Sequence, residues 1–206
     1  SSLEVGSVRA SNAKSILMKN FSDMIGGGFA WILTGFAIAF GTPVLGGLFG
    51  SSGWMLSSIH ERPGPAFFFF QLAFASAAAT IQSGAVAERM DLTAYLANSF
   101  LICLVVYPVP AHWVWNSGGW LKLLGYEDFA GSSVVHTVGG VCAAVTAWRL
   151  GPRLHRFHAV TRAPLPMPMH SYALAWWGNA ILVFGWFGES KRALFADPVY
   201  ASSSFG

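Results

Sequence analysis

The sequence predicts an all-α polytopic membrane protein of five transmembrane helices, and three observations carry that prediction. Charged residues make up 10% of the 206 positions while hydrophobic residues make up 54%. A soluble domain carries roughly 25% charged residues, so this chain has too little polar surface to cover itself in water. The charges are also segregated: residues 24–60, 63–87, 92–121, 129–148 and 163–188 contain no Asp, Glu, Lys or Arg. A helical crossing of a hydrocarbon layer about 30 Å thick takes roughly 20 apolar residues, and each stretch is long enough for one.

The first stretch is too short for two crossings and a loop, and its segment Gly41–Gly53 holds five glycines and Pro43. The spans are therefore centred on Ile25–Gly41, Ala66–Val86, Leu92–Pro110, Phe129–Leu150 and Tyr172–Gly188. The whole chain reads as a single membrane domain, residues 1–206. Residues 1–23 form its N-terminal segment with the start of the first helix, and 189–206 form a C-terminal tail. With five spans, one face receives Arg9, Lys14, Lys19, Arg89, Arg149, Arg153, Arg156 and Arg162. The other receives Arg62, Lys122, Lys191 and Arg192. Eight basic residues against four place the N-terminus and the 149–162 loop on the cytoplasmic side or its organellar equivalent. Trp113, Trp115 and Trp120 fall where an aromatic belt would sit on the far side.

Within the second span, Ser76, Thr80 and Gly84 recur every fourth residue, as do Ala75, Ala79 and Ser83. Small residues at that spacing form a groove that a neighbouring helix can approach closely, a source of packing energy in lipid. Phe70 and Phe74 share a face one turn apart. Asp128 precedes the fourth span as a helix N-cap, its carboxylate suited to the first free backbone N–H groups. Two turns on lies His136. An ionisable group inside a span is costly, so this imidazole either bonds a neighbouring helix or serves a site, including a metal or a pigment magnesium.

Other function classes find little support. The net charge of +3 is small and the basic residues do not alternate with exposed aromatics, which argues against nucleic acid. Cys103 and Cys142 fall inside spans as small packing residues. His60, His112, His155, His158 and His170 show no metal-ligand spacing, and neither a phosphate loop nor a catalytic triad is visible. The expectation is no enzyme, no metal and no required cofactor, with bound lipids or pigments allowed.

Several segments together resemble the ammonium transporter family (Amt/Mep/Rh), in its plant-like branch. They are Gly6-Ser-Val-Arg9, Asn12-Ala-Lys14 and Ile16-Leu-Met-Lys-Asn20, then Phe70-Gln71 with Phe74 ending in Gly84-Ala-Val-Ala-Glu-Arg89. Pro110-Ala-His-Trp-Val-Trp115, Asp128-Phe-Ala-Gly-Ser-Ser-Val-Val-His136 and Phe184-Gly-Trp-Phe-Gly188 follow in the same order. The resemblance implies the fold's N-terminal half, from the end of its first helix through its sixth, out of eleven helices in two inverted repeats. It implies that Phe70 and Phe74 form a stacked gate and that Trp115, with Asp128, forms an outer ammonium-recruitment site. It further implies that His136 is one member of a twin-histidine pair and that Trp186 belongs to the same inherited set. After Gly188 the pattern departs: Glu189 stands where the family has an aromatic, and Lys191 and Arg192 follow.

A half-pore exposes polar and gating residues to lipid unless a partner covers them. The function expected is therefore a family-derived accessory subunit, non-conducting alone, in a larger membrane assembly such as a photosynthetic or respiratory supercomplex. The alternative is a fragment of a conducting ammonium channel. The expected partners are membrane lipids and other membrane subunits, with ammonium itself only if a second half is present. The expected location is an integral membrane, with the thylakoid and inner mitochondrial membranes as organellar candidates.

Overall fold

The structure, a computed structural model, describes residues 1–57 and 64–196, with the backbone alone over 189–196. The loop carrying His60, Glu61 and Arg62, the side chains of Glu189, Lys191 and Arg192, and residues 197–206 lie outside the described residues. A short helix α1 (Ser2–Ser7) leads into α2 (Ala10–Phe40), followed by a two-residue hairpin, β1 (Pro43–Val44) antiparallel to β2 (Phe49–Gly50). Then come α3 (Gly64–Val86), α4 (residues 92–115), a single turn α5 (Trp120–Leu123), α6 (residues 132–150) and α7 (Tyr172–Ala196). Among the described residues three segments are long and apolar enough to cross a membrane: Ala10–Phe40, Gly64–Val86 and Leu92–Leu123. The other two long helices, α6 and α7, are less apolar: His136, two glycines and Arg149 dilute α6, and α7 runs on into charged residues.

Two boundaries differ from the sequence expectation. The charge-free stretch centres the first span from Ile25, yet the helix is continuous from Ala10 and carries Lys19 and Asp23 on its buried face. Both charges are tolerated because tertiary partners meet them. Lys19 Nζ donates to the Met90 carbonyl at 2.6 Å, while one Asp23 oxygen accepts from Thr80 Oγ1 at 2.9 Å and Tyr95 Oη at 3.1 Å. At the other end, α7 does not stop at Gly188 but continues to Ala196, through Glu, Lys, Arg and Ala, all good helix formers.

The core sits where α2, α3 and α4 meet. Trp31 and Tyr107 are fully buried with ring centroids 5.8 Å apart, and Phe36 meets Phe68 edge-on at 5.2 Å. Both α2 and α4 contain a π-helical turn here, Trp31–Gly35 and Ile102–Val106, and the two turns pack on each other. A Cβ at Gly35 would come within 2.5 Å of the Cys103 carbonyl, so only glycine permits this approach. Pro108 has no N–H to offer the Leu104 carbonyl four residues earlier. Thr34 Oγ1 donates to that carbonyl at 2.8 Å, closing the gap in a region without water.

The small residues of α3 divide into two groups. Ala75, Ala79 and Ser83 are buried, and α3 packs against both α2 and α6. Gly139 of α6 faces Ala78 so closely that a Cβ would lie 2.8 Å from its carbonyl oxygen. Thr80 is committed to Asp23, and Ser83 donates to Glu4 of α1. Ser76 is half-buried, whereas Gly84 is exposed, and a Cβ there would meet only Glu4 Oε1, at 3.6 Å. The close-packed groove of α3 therefore ends before Gly84, which the periodicity alone would include.

Candidate functional site

The first turns of α3, the end of α4 and the 124–131 loop bring four of the expected residues together. The Phe70 and Phe74 rings, one turn apart on α3, meet edge-on at 4.9 Å. Phe74 meets the Trp115 indole at 5.4 Å, and Trp115 Nε1 donates to the Asp128 backbone carbonyl at 2.9 Å. The result is a continuous aromatic row, Phe70–Phe74–Trp115, tied at its outer end to the α5–α6 loop.

Asp128 anchors that loop. One carboxylate oxygen accepts from the Gly131 and Ser132 N–H groups at 2.8 and 2.9 Å. The other accepts from the Ser133 and Val134 N–H groups, both at 2.8 Å, and from Ser133 Oγ at 2.6 Å. Burial pushes this carboxyl up, but the Ser133 hydroxyl and the backbone N–H donors outweigh it and hold the group below the usual aspartate range. Gly131, at φ +89°, supplies the left-handed turn that lets the chain wrap around the carboxylate; a Cβ there would strike Val135. Asp128 thus acts on the site through geometry, fixing the loop whose carbonyl orients Trp115.

His136 lies inside a third π-helical turn, Ser132–Thr137, and is exposed. Its Nδ1 stands 3.2 Å from the Gly131 carbonyl. A carbonyl only accepts, so Nδ1 carries the proton in the neutral ring and Nε2 keeps its lone pair for another group. Trp186 stands apart: it is 47% exposed on α7 and joins no ring contact with this row among the described residues. Among the described residues no cluster of three or more His, Cys, Asp or Glu could hold a metal ion.

Sequence reasoning missed two polar features. Glu4 accepts from Ser83 Oγ and Asn20 Nδ2, joining α1, α2 and α3 beside the buried Asp23–Thr80–Tyr95 group. His112 is fully buried with Nδ1 at 2.9 Å from the Ala39 carbonyl, and Asn116 Nδ2 reaches the same carbonyl at 3.2 Å. For His112 and Asn116 the signal in the sequence was their place within an apolar run, where polar groups need partners; Glu4 lies outside the charge-free stretches and carried none.

Comparison with known proteins agrees with this fold. The family model described as Ammonium Transporter Family matches residues 1–189. Ammonium transporter 1 member 3 of Solanum lycopersicum is 44% identical over 193 residues, covering 89% of this chain and 41% of the tomato protein. Ammonium transporter Amt2 of Archaeoglobus fulgidus is 41% identical over 197 residues, covering 90% and 42%. Among solved structures, one titled Sensor Amt Protein superposes with a TM-score of 0.88 at 36% identity, covering 94% of this chain and 49% of that one. Saccharomyces cerevisiae Mep2 superposes at 0.75 with 28% identity, covering 87% and 42%. The chain spans less than half the length of each of these relatives. On the family match and the agreement of fold, the chain belongs to the ammonium transporter family.

Proposed function

We propose that the chain supplies one wall of an ammonium path and does not conduct by itself. The observation that carries this reading is one-sidedness. The Phe70–Phe74–Trp115 row is locked by Asp128, while His136 presents its imidazole on an open surface. In this reading the Trp115 indole attracts ammonium by a cation–π interaction worth about 0.5–2 kcal/mol. Phe74 and Phe70 form the barrier behind it, and His136 Nε2 accepts a hydrogen bond from the ammonium or ammonia that passes. A second wall from another segment or chain is needed to exclude lipid from these groups.

A second reading is an accessory subunit of a larger membrane complex, with partner helices on the open face. It is favoured by α7, where Trp176, Trp177, Phe184 and Phe187 are 68–82% exposed and present a broad aromatic surface. In both readings the bound partners are lipids and other membrane segments, and no cofactor is required. The excess of basic residues puts the N-terminus and the 149–162 loop on the cytoplasmic, stromal or matrix side.

The test is ammonium-driven acidification or alkalinisation in proteoliposomes. The chain alone should match protein-free vesicles. Co-reconstitution with the part of the Solanum lycopersicum relative that this chain does not cover should restore saturable flux that His136→Ala abolishes. Saturable, His136-dependent flux from the chain alone overturns the proposal. Absence of flux in the combined sample, with both parts shown to associate, leaves the accessory reading in its place.

A further inference from the structure

Far from the aromatic row, the ends of α3 and α6 meet a cleft of about 460 Å³ lined by Arg89, Pro152, Arg153, Arg156, Phe157 and Met167. The helices end at Val86 and Leu150, so the three guanidinium groups lie just beyond the apolar segments, at the level of a lipid headgroup. Their charge is poorly balanced. Among the described residues both ion pairs end on one carboxylate, Glu88: Arg9 takes it at 3.1 Å and Arg153 approaches at 3.5 Å. The Arg9 backbone N–H and Asn12 Nδ2 donate to the Glu88 oxygen that Arg9 Nε takes, Oε1, while Arg153 faces Oε2.

Arg89 and Arg156 have no acidic partner among the described residues. Arg89 Nη1 donates to the Gly151 carbonyl at 3.0 Å, tying the two helix ends together, and its Nε is buried without a hydrogen-bond partner among the described residues. Arg156 Nη1 donates to the Leu165 carbonyl at 2.6 Å, and its guanidinium stands 5.9 Å from the Phe157 ring centre. Each guanidinium has five N–H donors, so these bonds fix the forks in place and leave most donors free. Three positioned forks around one cleft suit a tetrahedral oxyanion, and the Pro152, Phe157 and Met167 side chains add an apolar rim.

We propose that this cleft binds a phosphate-bearing anion, the headgroup of an anionic phospholipid at the membrane surface. The phosphate oxygens take the free N–H groups of Arg89, Arg153 and Arg156, and the glycerol and first methylenes rest on the apolar rim. The site is independent of the aromatic row and of whether that row conducts. It also ties the 151–171 connection to the ends of α3 and α6, so headgroup binding stiffens this face of the protein.

Native mass spectrometry of the full chain in detergent tests the proposal, with dioctanoyl phosphatidate as probe and dioctanoyl phosphatidylcholine as reference. Phosphatidate should be retained more tightly. Arg153→Gln, whose side chain gives up only the 3.5 Å approach to Glu88, should weaken retention about fivefold, and Arg153→Gln with Arg156→Gln about 20-fold. The paired Arg→Lys variant keeps the charge without the fork and should bind between wild type and the paired Gln variant, which guards against loss by unfolding. Equal retention of the two lipids, or unchanged retention in both Gln variants, overturns the site. Competition by inorganic phosphate without any preference for phosphatidate overturns the lipid assignment and makes free phosphate the ligand.

Discussion

At the scale of single residues, Asp128 is the one side chain on which the arrangement of the aromatic row depends. Five donors converge on its two oxygens, and its own backbone carbonyl orients Trp115. Asp128→Ala should therefore destabilise the protein by about 2 kcal/mol at neutral pH, as expected when a charged N-cap with several donors is lost. A carboxyl held below its ordinary value contributes stability that is fully present above the unfolded value. That contribution fades as pH falls through the folded one. The gap between wild type and Asp128→Ala should thus be widest above about pH 5 and shrink below about pH 4, measured as thermal melting in detergent. A gap unchanged between pH 7 and pH 3 would mean that the carboxylate charge does not hold the loop. This cap was legible in the sequence, because an Asp ahead of a glycine and two serines at the start of an apolar run has few other uses. Lys19 and Asp23 were not legible. In a sequence, charges mark where a helix leaves the membrane, and the partners that admit these two, Met90, Thr80 and Tyr95, lie 57 to 72 residues away.

At the scale of elements, the close packing is between helices and depends on side chains removed at specific turns. The four-residue period of α3 marks a small-residue face at Ala75, Ala79 and Ser83, all three buried in the structure, but it does not say where the neighbouring helices diverge. The structure places Gly84 beyond that point. A matched pair of substitutions separates the two. Ala79→Leu inserts a branched side chain into a fully buried contact and should cost roughly 1–3 kcal/mol. Gly84→Leu enters open space beside Glu4 and gains helix propensity, so its effect should stay within about 1 kcal/mol. Thermal melting of both variants checks this; equal losses would place Gly84 in a packed interface. The π-helical turns in α2, α4 and α6 had no signature at all in the sequence. Each adds one residue to a turn, which shifts the facing of everything after it without changing composition. Their positions follow from tertiary contacts such as Gly35 against Cys103 and Thr34 on the Leu104 carbonyl.

At the scale of the whole molecule, the chain is a packed body of α2, α3, α4 and α6 with α7 attached through a narrow contact. The attachment is α1: a Cβ on Gly6 would lie 2.5 Å from the Ala175 nitrogen, and one on Gly178 would strike the Leu3 backbone. Ser171 N donates to the Gly6 carbonyl and His170 N to the Val8 carbonyl, both at 3.3 Å, so the same short helix holds the start of α7. The remaining length of α7 presents Trp176, Trp177, Phe184 and Phe187 outward. Such an element is held through one short partner helix and should open without unfolding the rest, because the cost of local opening scales with what is released. Gly178→Leu tests this directly. The leucine cannot be accommodated against the Leu3 backbone, so α7 should lift from α1 at a cost of about 1–3 kcal/mol. Amide hydrogen exchange across α7 should accelerate by about 5- to 140-fold, since each 1.4 kcal/mol is a factor of ten, while α4 around Tyr107 keeps its protection. Uniform acceleration over both helices would mean that α7 and the body form one cooperative unit. Unchanged exchange would mean that the α1–α7 contact is not what holds this helix. The expected outcome, selective release, leaves the packing of α3, α4 and α6 intact and sets α7 apart as the element of this fold that opens on its own.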